Sequence, residues 1–215
     1  PLASLMMVLA VAGMVVGSWV AMFEPNLKRM MAYSSVAQVG YLVLGVALVS
    51  MIGLTATFVH LFNHALMKAG LFMALGTVMY RTGSARIEAF CGIGRQMPWT
   101  MSAFALLGLS LIGVPATAGF VSKWYLIWGA LDAGLVWLVV LILITSFMAV
   151  YYIWRVIEAA WFMPPKDPQQ PVKEAPLALL IPLWLMVALN VYFGLDTRFS
   201  LGAAEQAAQA LLGGF

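Results

Sequence analysis

Long apolar runs, interrupted by short polar clusters, dominate the chain. Six of them, at about 2–23, 31–50, 54–80, 99–129, 133–160 and 176–195, reach the roughly 20 residues a helix needs to cross a hydrocarbon core of about 30 Å. The third, fourth and fifth exceed that length and are expected to tilt, bend or protrude. Most runs are separated by Pro, Gly and charge, as in "EPNLKR", "RTGSARIEAFCGIGRQMPW" and "MPPKDPQQPVKEAP", while "SMIG" and "ALDAG" mark tight connections. The closing stretch "FSLGAAEQAAQALLGGF" is weakly amphipathic and a candidate for the membrane surface. The pattern predicts an all-α protein, a polytopic membrane helix bundle with about six transmembrane helices.

Composition agrees. The chain is 64% hydrophobic and 9% charged, against about 25% charged residues in a soluble domain. So much apolar surface calls for a lipid bilayer. The net charge of +3 does not point to nucleic acid, because the basic residues mark topology. Lys28 and Arg29 fall in the first connection, Arg81, Arg86 and Arg95 in the third, and Arg155, Lys166 and Lys173 around the fifth. The opposite side holds only Arg198. The positive-inside rule then puts the odd connections in the cytoplasm and both chain ends outside. The first run has neither a basic leader nor a small-residue cleavage site, so it reads as a spanning helix rather than a signal peptide. The start at Pro1 instead of Met points to a piece of a longer protein. Cys91 is the one cysteine, which excludes an intrachain disulfide and a cysteine-based metal site. There is no Gly-rich phosphate loop and no carboxylate dyad, so no soluble catalytic site and no cofactor are expected.

Two basic residues, Lys68 and Lys123, fall inside spans, where a charge costs about 2.5–3.5 kcal/mol on insertion scales. Lys68 belongs to "HLFNHALMKAGLF", which spaces His60, His64 and Lys68 four residues apart. All three share one face of a helix and cover about 12 Å of its axis at 1.5 Å per residue. A single buried histidine most often just bonds a neighbouring helix. Two histidines and a lysine on one face favour a proton path, with water filling the gaps. Zinc is disfavoured, since His-x3-His supplies two ligands where three or four are needed. Lys123 follows "GVPATAG", where Pro115 between Gly113 and Gly119 predicts a broken helix over 113–119. Irregular backbone is tolerated in a bilayer only inside protein or along a water cavity, and broken helices beside ionisable groups are a transporter device. The blander reading is a lysine snorkelling from a helix end. Ser34 and Gln38, four apart at the start of the second span, are placed to line the cytoplasmic mouth of a water path or to bond a neighbouring helix. Arg155 and Glu158 read as an i,i+3 ion pair.

Three segments together, "NLKRMMAYSSVAQVGYLVLG", "HLFNHALMKAGLFMALG" and "LSLIGVPATAGFVSKWYLIWGAL", resemble the proton-translocating antiporter-like subunits shared by respiratory complex I, related membrane-bound hydrogenases and Mrp-type cation/proton antiporters. The resemblance covers residues 1 to about 160. It implies the C-terminal part of such a subunit: a second five-helix repeat over 1–160 with one discontinuous helix, a cytoplasmic loop over 161–175, a closing helix over 176–195 and a tail over 196–215. Lys68 matches the central lysine, His64 the adjacent histidine of the path, and Lys123 the ionisable residue beside the broken helix. Many complex I members carry a histidine at the position of Gln38, and glutamine there is similar to the Mrp-type antiporter chains.

The function so implied is proton translocation by a His/Lys/water relay, in a monovalent cation/proton antiporter subunit of the plasma membrane. The alternative is a proton-pumping membrane subunit of NADH-quinone oxidoreductase or a membrane-bound hydrogenase. A transporter subunit is favoured over an enzyme. Its partners would be the other membrane subunits of the complex, the bilayer, protons and a cation such as Na+. Protons are expected to enter by Gln38, pass His64 and His60 to Lys68, and leave through Lys123. A transport-free scaffold is disfavoured, since it gains nothing from unpaired intramembrane lysines.

Overall fold

The computed structural model describes residues 2–165 and 171–213. Lys166 and the middle of the 161–175 connection lie outside the described residues. The helices are α1 (Leu2–Phe23), α2 (Leu27–Ala47), α3 (Met51–Thr82), α4 (Ile93–Gln96), α5 (Pro98–Ile112), α6 (Ala118–Asp132), α7 (Val136–Phe162), α8 (Leu177–Leu195) and α9 (Arg198–Gly213), with a 3-10 turn at Ile87–Phe90. Among the described residues no strand forms, and a single bridge pairs Asn26 with Arg86. Five helices, α1, α2, α3, α7 and α8, are long and apolar enough to cross a membrane. The fourth expected span divides into α5 and α6, each 15 residues and so roughly 22 Å long. Neither reaches across alone. α3, with 32 residues, extends about 48 Å and must tilt or protrude.

Small residues set the first packing contact. Gly13 and Gly17 sit one turn apart on α1, and a Cβ on Gly17 would lie 2.7 Å from the backbone N of Ala37 and 2.9 Å from Tyr33 O. The backbones of α1 and α2 therefore touch there, which is how helices associate where lipid removes the hydrophobic drive.

The odd connections meet at one end of the bundle, as the basic residues predict. Leu27 N donates to Ala85 O (2.8 Å) and Ile87 N to Pro25 O (3.0 Å), joining the first connection to the third. Val172 N donates to Gln96 Oε1 (2.6 Å), joining the third to the fifth. Leu2, Val49 and Leu211 line one cavity of about 580 Å³, so both ends of the described chain lie with the second connection at the opposite face.

Long-range caps replace two local readings. Arg155 does not pair with Glu158 in any ion pair among the described residues. Its guanidinium donates to Met22 O (2.5 Å) and Glu24 O (3.1 Å), satisfying carbonyls left open at the end of α1. Glu174 caps the start of α5, accepting from Trp99 N (2.8 Å), Thr100 N (3.4 Å) and Thr100 Oγ1 (2.7 Å). Losing such a cap costs about 1 kcal/mol, so Glu174→Ala is expected to speed amide exchange at Trp99 and Thr100 by about fivefold. Unchanged exchange would show that α5 does not depend on this carboxylate.

α9 packs on the bundle through Ser200, Ala204 and Ala208, all buried and four residues apart. Ala204 joins Val59 of α3 and Val121 of α6 in one apolar cluster. The stripe is too small and too weakly apolar to stand out in the sequence, yet small side chains are what close helix contact requires.

Candidate functional site

The site lies where two apolar clusters meet. On α3 the larger cluster runs from Met67 to Val78, and the other touches at Ala56. Between them the helix carries Thr57, His60, Asn63 and His64, with Lys68 one turn further.

Lys68 is 6% exposed and Ser34 is fully buried. The Lys68 ammonium donates to Met31 O (2.9 Å) and to Ser34 Oγ. Ser34 Oγ itself donates to Met31 O (2.9 Å). The lysine is thereby tied to the second turn of α2. Of the two places offered for Ser34 and Gln38, the mouth of a water path or a bond to a neighbouring helix, Ser34 shows the second, to Lys68 of α3; both are buried, on a helix that begins at Leu27, earlier than the apolar run suggests. Gln38 Oε1 is buried without a protein partner among the described residues.

His60 and His64 stack with ring centroids 6.1 Å apart. His60 Nδ1 meets Ser122 Oγ of α6 at 2.8 Å, and Ser122 Oγ donates to Gly119 O (3.2 Å). His60 Nε2 and His64 Nδ1 are buried without protein partners among the described residues, which is costly unless water or a shuttling proton uses them.

The break is local chemistry. Gly113 closes α5 in the left-handed region (φ 95°), the usual end of a helix. Pro115 follows, and Ala116 takes φ 68°, the order of residues in a type II turn, Pro second and positive φ third. Thr117 Oγ1 closes it onto Val114 O (2.7 Å). α6 then starts against α5: Gly119 N donates to Ser110 Oγ (3.0 Å), and Asn63 Nδ2 donates to Ala118 O (2.6 Å).

Lys123 is 5% exposed and does not snorkel. Side chains on a helix lean toward its N-terminus, so Lys123 turns back to the break and donates to Leu111 O (3.0 Å), Ile112 O (2.7 Å) and Ser146 Oγ (3.0 Å). Leu111 and Ile112 are the last residues of α5, whose open carbonyls form the negative end of the helix dipole. No ion pair among the described residues involves Lys68 or Lys123. Both ammonium groups rest on neutral oxygens, so neither proton is held by a carboxylate.

The structure places all the expected ionisable groups along one line but changes their order. From the end holding the odd connections it runs Lys68, His64, His60, Lys123. The histidines stand between the lysines rather than before Lys68. Residues that the sequence pattern did not single out complete the line. Tyr41 packs its ring against His60 at 5.6 Å and under the Lys123 ammonium at 5.2 Å, while Thr145 and Ser146 come from α7. Ser34, Gln38 and Tyr41 follow an i, i+4, i+7 spacing, a signal that was legible.

A helix bundle with one helix broken in mid-course and a largely buried row of ionisable groups leading to the break is the architecture of a polytopic membrane protein. The family model described as NADH:quinone oxidoreductase/Mrp antiporter, TM, matches residues 2–149, and the chain belongs to that family. NADH-quinone oxidoreductase subunit N of Desulforudis audaxviator is 41% identical over 87% of this chain and 40% of its own length. The structure of the Mrp complex from a Dietzia species matches 96% of this chain and 47% of that one, with TM-score 0.90 and 26% identity. Respiratory complex I from Thermus thermophilus gives TM-score 0.80 over 96% of this chain at 22% identity, a likeness of fold alone. The chain thus spans about two fifths of that subunit N and about half of that Mrp chain.

Proposed function

We propose that this chain moves protons across the membrane as part of an antiporter-like subunit, by a relay through Lys68, His64, His60 and Lys123 with bridging water. The observation that carries the reading is the pair of buried lysines that, among the described residues, have no carboxylate partner, joined by two stacked histidines whose free ring nitrogens have no protein partner there. A carboxylate would trap each charge, whereas neutral oxygens let the proton leave.

Gln38 and Ser34 are accessory groups in this reading, and the break at Gly113, Pro115 and Gly119 opens the way to the far side. The odd connections, rich in Lys and Arg, face the cytoplasm of a plasma membrane. Residues 1–160 act as the five-helix repeat and α8 closes it. Two charges separated by the roughly 12 Å between Lys68 and His60 repel by about 1.4 kcal/mol at an effective dielectric of about 20, a tenfold bias. A proton arriving at Lys68 thereby drives one on His60 onward toward Lys123. The partners are the other membrane subunits of a multi-subunit complex.

The driving force distinguishes two assemblies. Gln38 and the fold of the Dietzia Mrp complex favour exchange against a monovalent cation such as Na+. The 41% identity to a subunit N of NADH-quinone oxidoreductase favours drive from quinone reduction elsewhere in the complex. The test is the complete complex in vesicles with an internal pH dye, given first a Na+ gradient and then NADH with quinone. Internal pH should change under one of the two. No proton movement under either overturns the reading.

A further inference from the structure

Among the described residues no carboxylate pairs with Lys123, and its three N–H donors are all spent on Leu111 O, Ile112 O and Ser146 Oγ. One further group faces the ammonium, the ring of Tyr41, with its centroid 5.2 Å from Nζ. A cation within about 6 Å of an aromatic face is attracted by the ring quadrupole, and more strongly where water is excluded. Tyr41 is 1% exposed. It belongs to α2, while Lys123 belongs to α6. Its ring is held in place from two further helices. The hydroxyl meets Thr145 Oγ1 of α7 at 2.6 Å, and Thr145 Oγ1 is fixed to Leu141 O (2.9 Å). The His60 ring of α3 packs at 71° to the ring of Tyr41.

We propose that Tyr41 is a positioning residue of the proton path, and that its ring face supplies the counter-charge holding the Lys123 ammonium at the helix break. An aromatic face suits this task better than a carboxylate. It stabilises the positive charge but has no basic atom there to take the proton, so Lys123 stays in place while its proton remains free to leave. The same ring touches His60, so the last histidine and the terminal lysine are set by one side chain. Tyr41 thus links the four helices that bear the path.

The inference rests on the proton-path reading, and the experiment separates the two. In the complete complex, residue 41 is changed by Tyr41→Phe and by the singly, doubly and triply fluorinated analogues of that substitution. Ring shape stays nearly constant while the quadrupole weakens stepwise. Proton transport should survive Tyr41→Phe and then fall with each fluorine, to a loss of about tenfold for the triply fluorinated ring. A purely packing role would not respond to fluorine, so a flat series overturns the role of Tyr41. Lys123→Ala is measured alongside. Wild-type transport in that variant overturns the path and this inference together, whereas a silent Lys123→Ala with a flat fluorine series overturns only the latter.

Discussion

A complex carrying Lys123→Ala is expected to assemble and to move protons at least about a hundredfold more slowly than the parent, the loss expected when a single indispensable acid–base group is removed. The substitution deletes the titrating group at the break and leaves the carbonyls of Leu111 and Ile112 without their donor. An unmet buried acceptor costs about 1–3 kcal/mol, so a loss of yield could mimic a loss of transport. Lys123→Gln separates the two, because its amide can still donate to those carbonyls but cannot shuttle a proton. Both variants should fail in the vesicle pH assay, and the glutamine variant should be recovered at wild-type yield. Lys68→Ala should be equally silent, since it removes the other end of the row. Normal acidification in any of these variants would mean that the protons take another route.

The second large effect concerns the backbone that aims Lys123. A Cβ on Gly119 would collide with Ser110 O and stand 2.8 Å from the carbonyl carbon of Ser110. These are backbone atoms and cannot swing aside, so Gly119→Ala must push α6 away from the end of α5. Overpacking of this kind costs about 1–3 kcal/mol, and the displacement also draws Lys123 from its carbonyls. Gly119→Ala should therefore lower both the thermal stability of the complex and its transport. Gly76→Ala provides the contrast: it too lies in a helix, but nothing stands within 4 Å of its Cβ position. There alanine should be neutral or stabilise by up to about 1 kcal/mol through helix propensity. Equal stability of the two variants would show that α5 and α6 have room to separate at the break.

Much of the fold was legible because hydropathy and helix breaking are local. The ends of α1 and α8 fall where the apolar runs predict, within about a residue. Pro115 and its flanking glycines marked the break, which the structure places at residues 113–117. The start of α2 was missed by four positions (27 against 31) because Lys28 and Arg29 interrupt the apolar run. There Asn26, which accepts from Arg29 N (3.2 Å), sets the boundary as an N-cap. Ala116 was not foreseen as the left-handed residue, since glycine usually fills that place in the turn.

The candidate site was half legible. His60, His64 and Lys68 announced themselves by spacing, and Lys123 by the cost of a charge beside a break. Most of their partners did not, because they lie on other helices: Met31 for Lys68 is 37 positions distant, Ser122 for His60 is 62, and Ser146 for Lys123 is 23. A periodic pattern reports which face of a helix is polar. It carries no information about which helix will meet that face.

By itself, then, the sequence determined that this chain is a membrane bundle, that its odd connections share one side, where its helix breaks and which two charges are buried. Each follows from the free energy of placing one residue type in lipid, a property of the local segment. Only the tertiary structure decided that the histidines stand between the lysines, that open carbonyls at a helix end receive Lys123, and that Tyr41 lies beneath it. Those outcomes depend on how α2, α3, α6 and α7 pack, and close packing is set jointly by side chains that the chain keeps far apart.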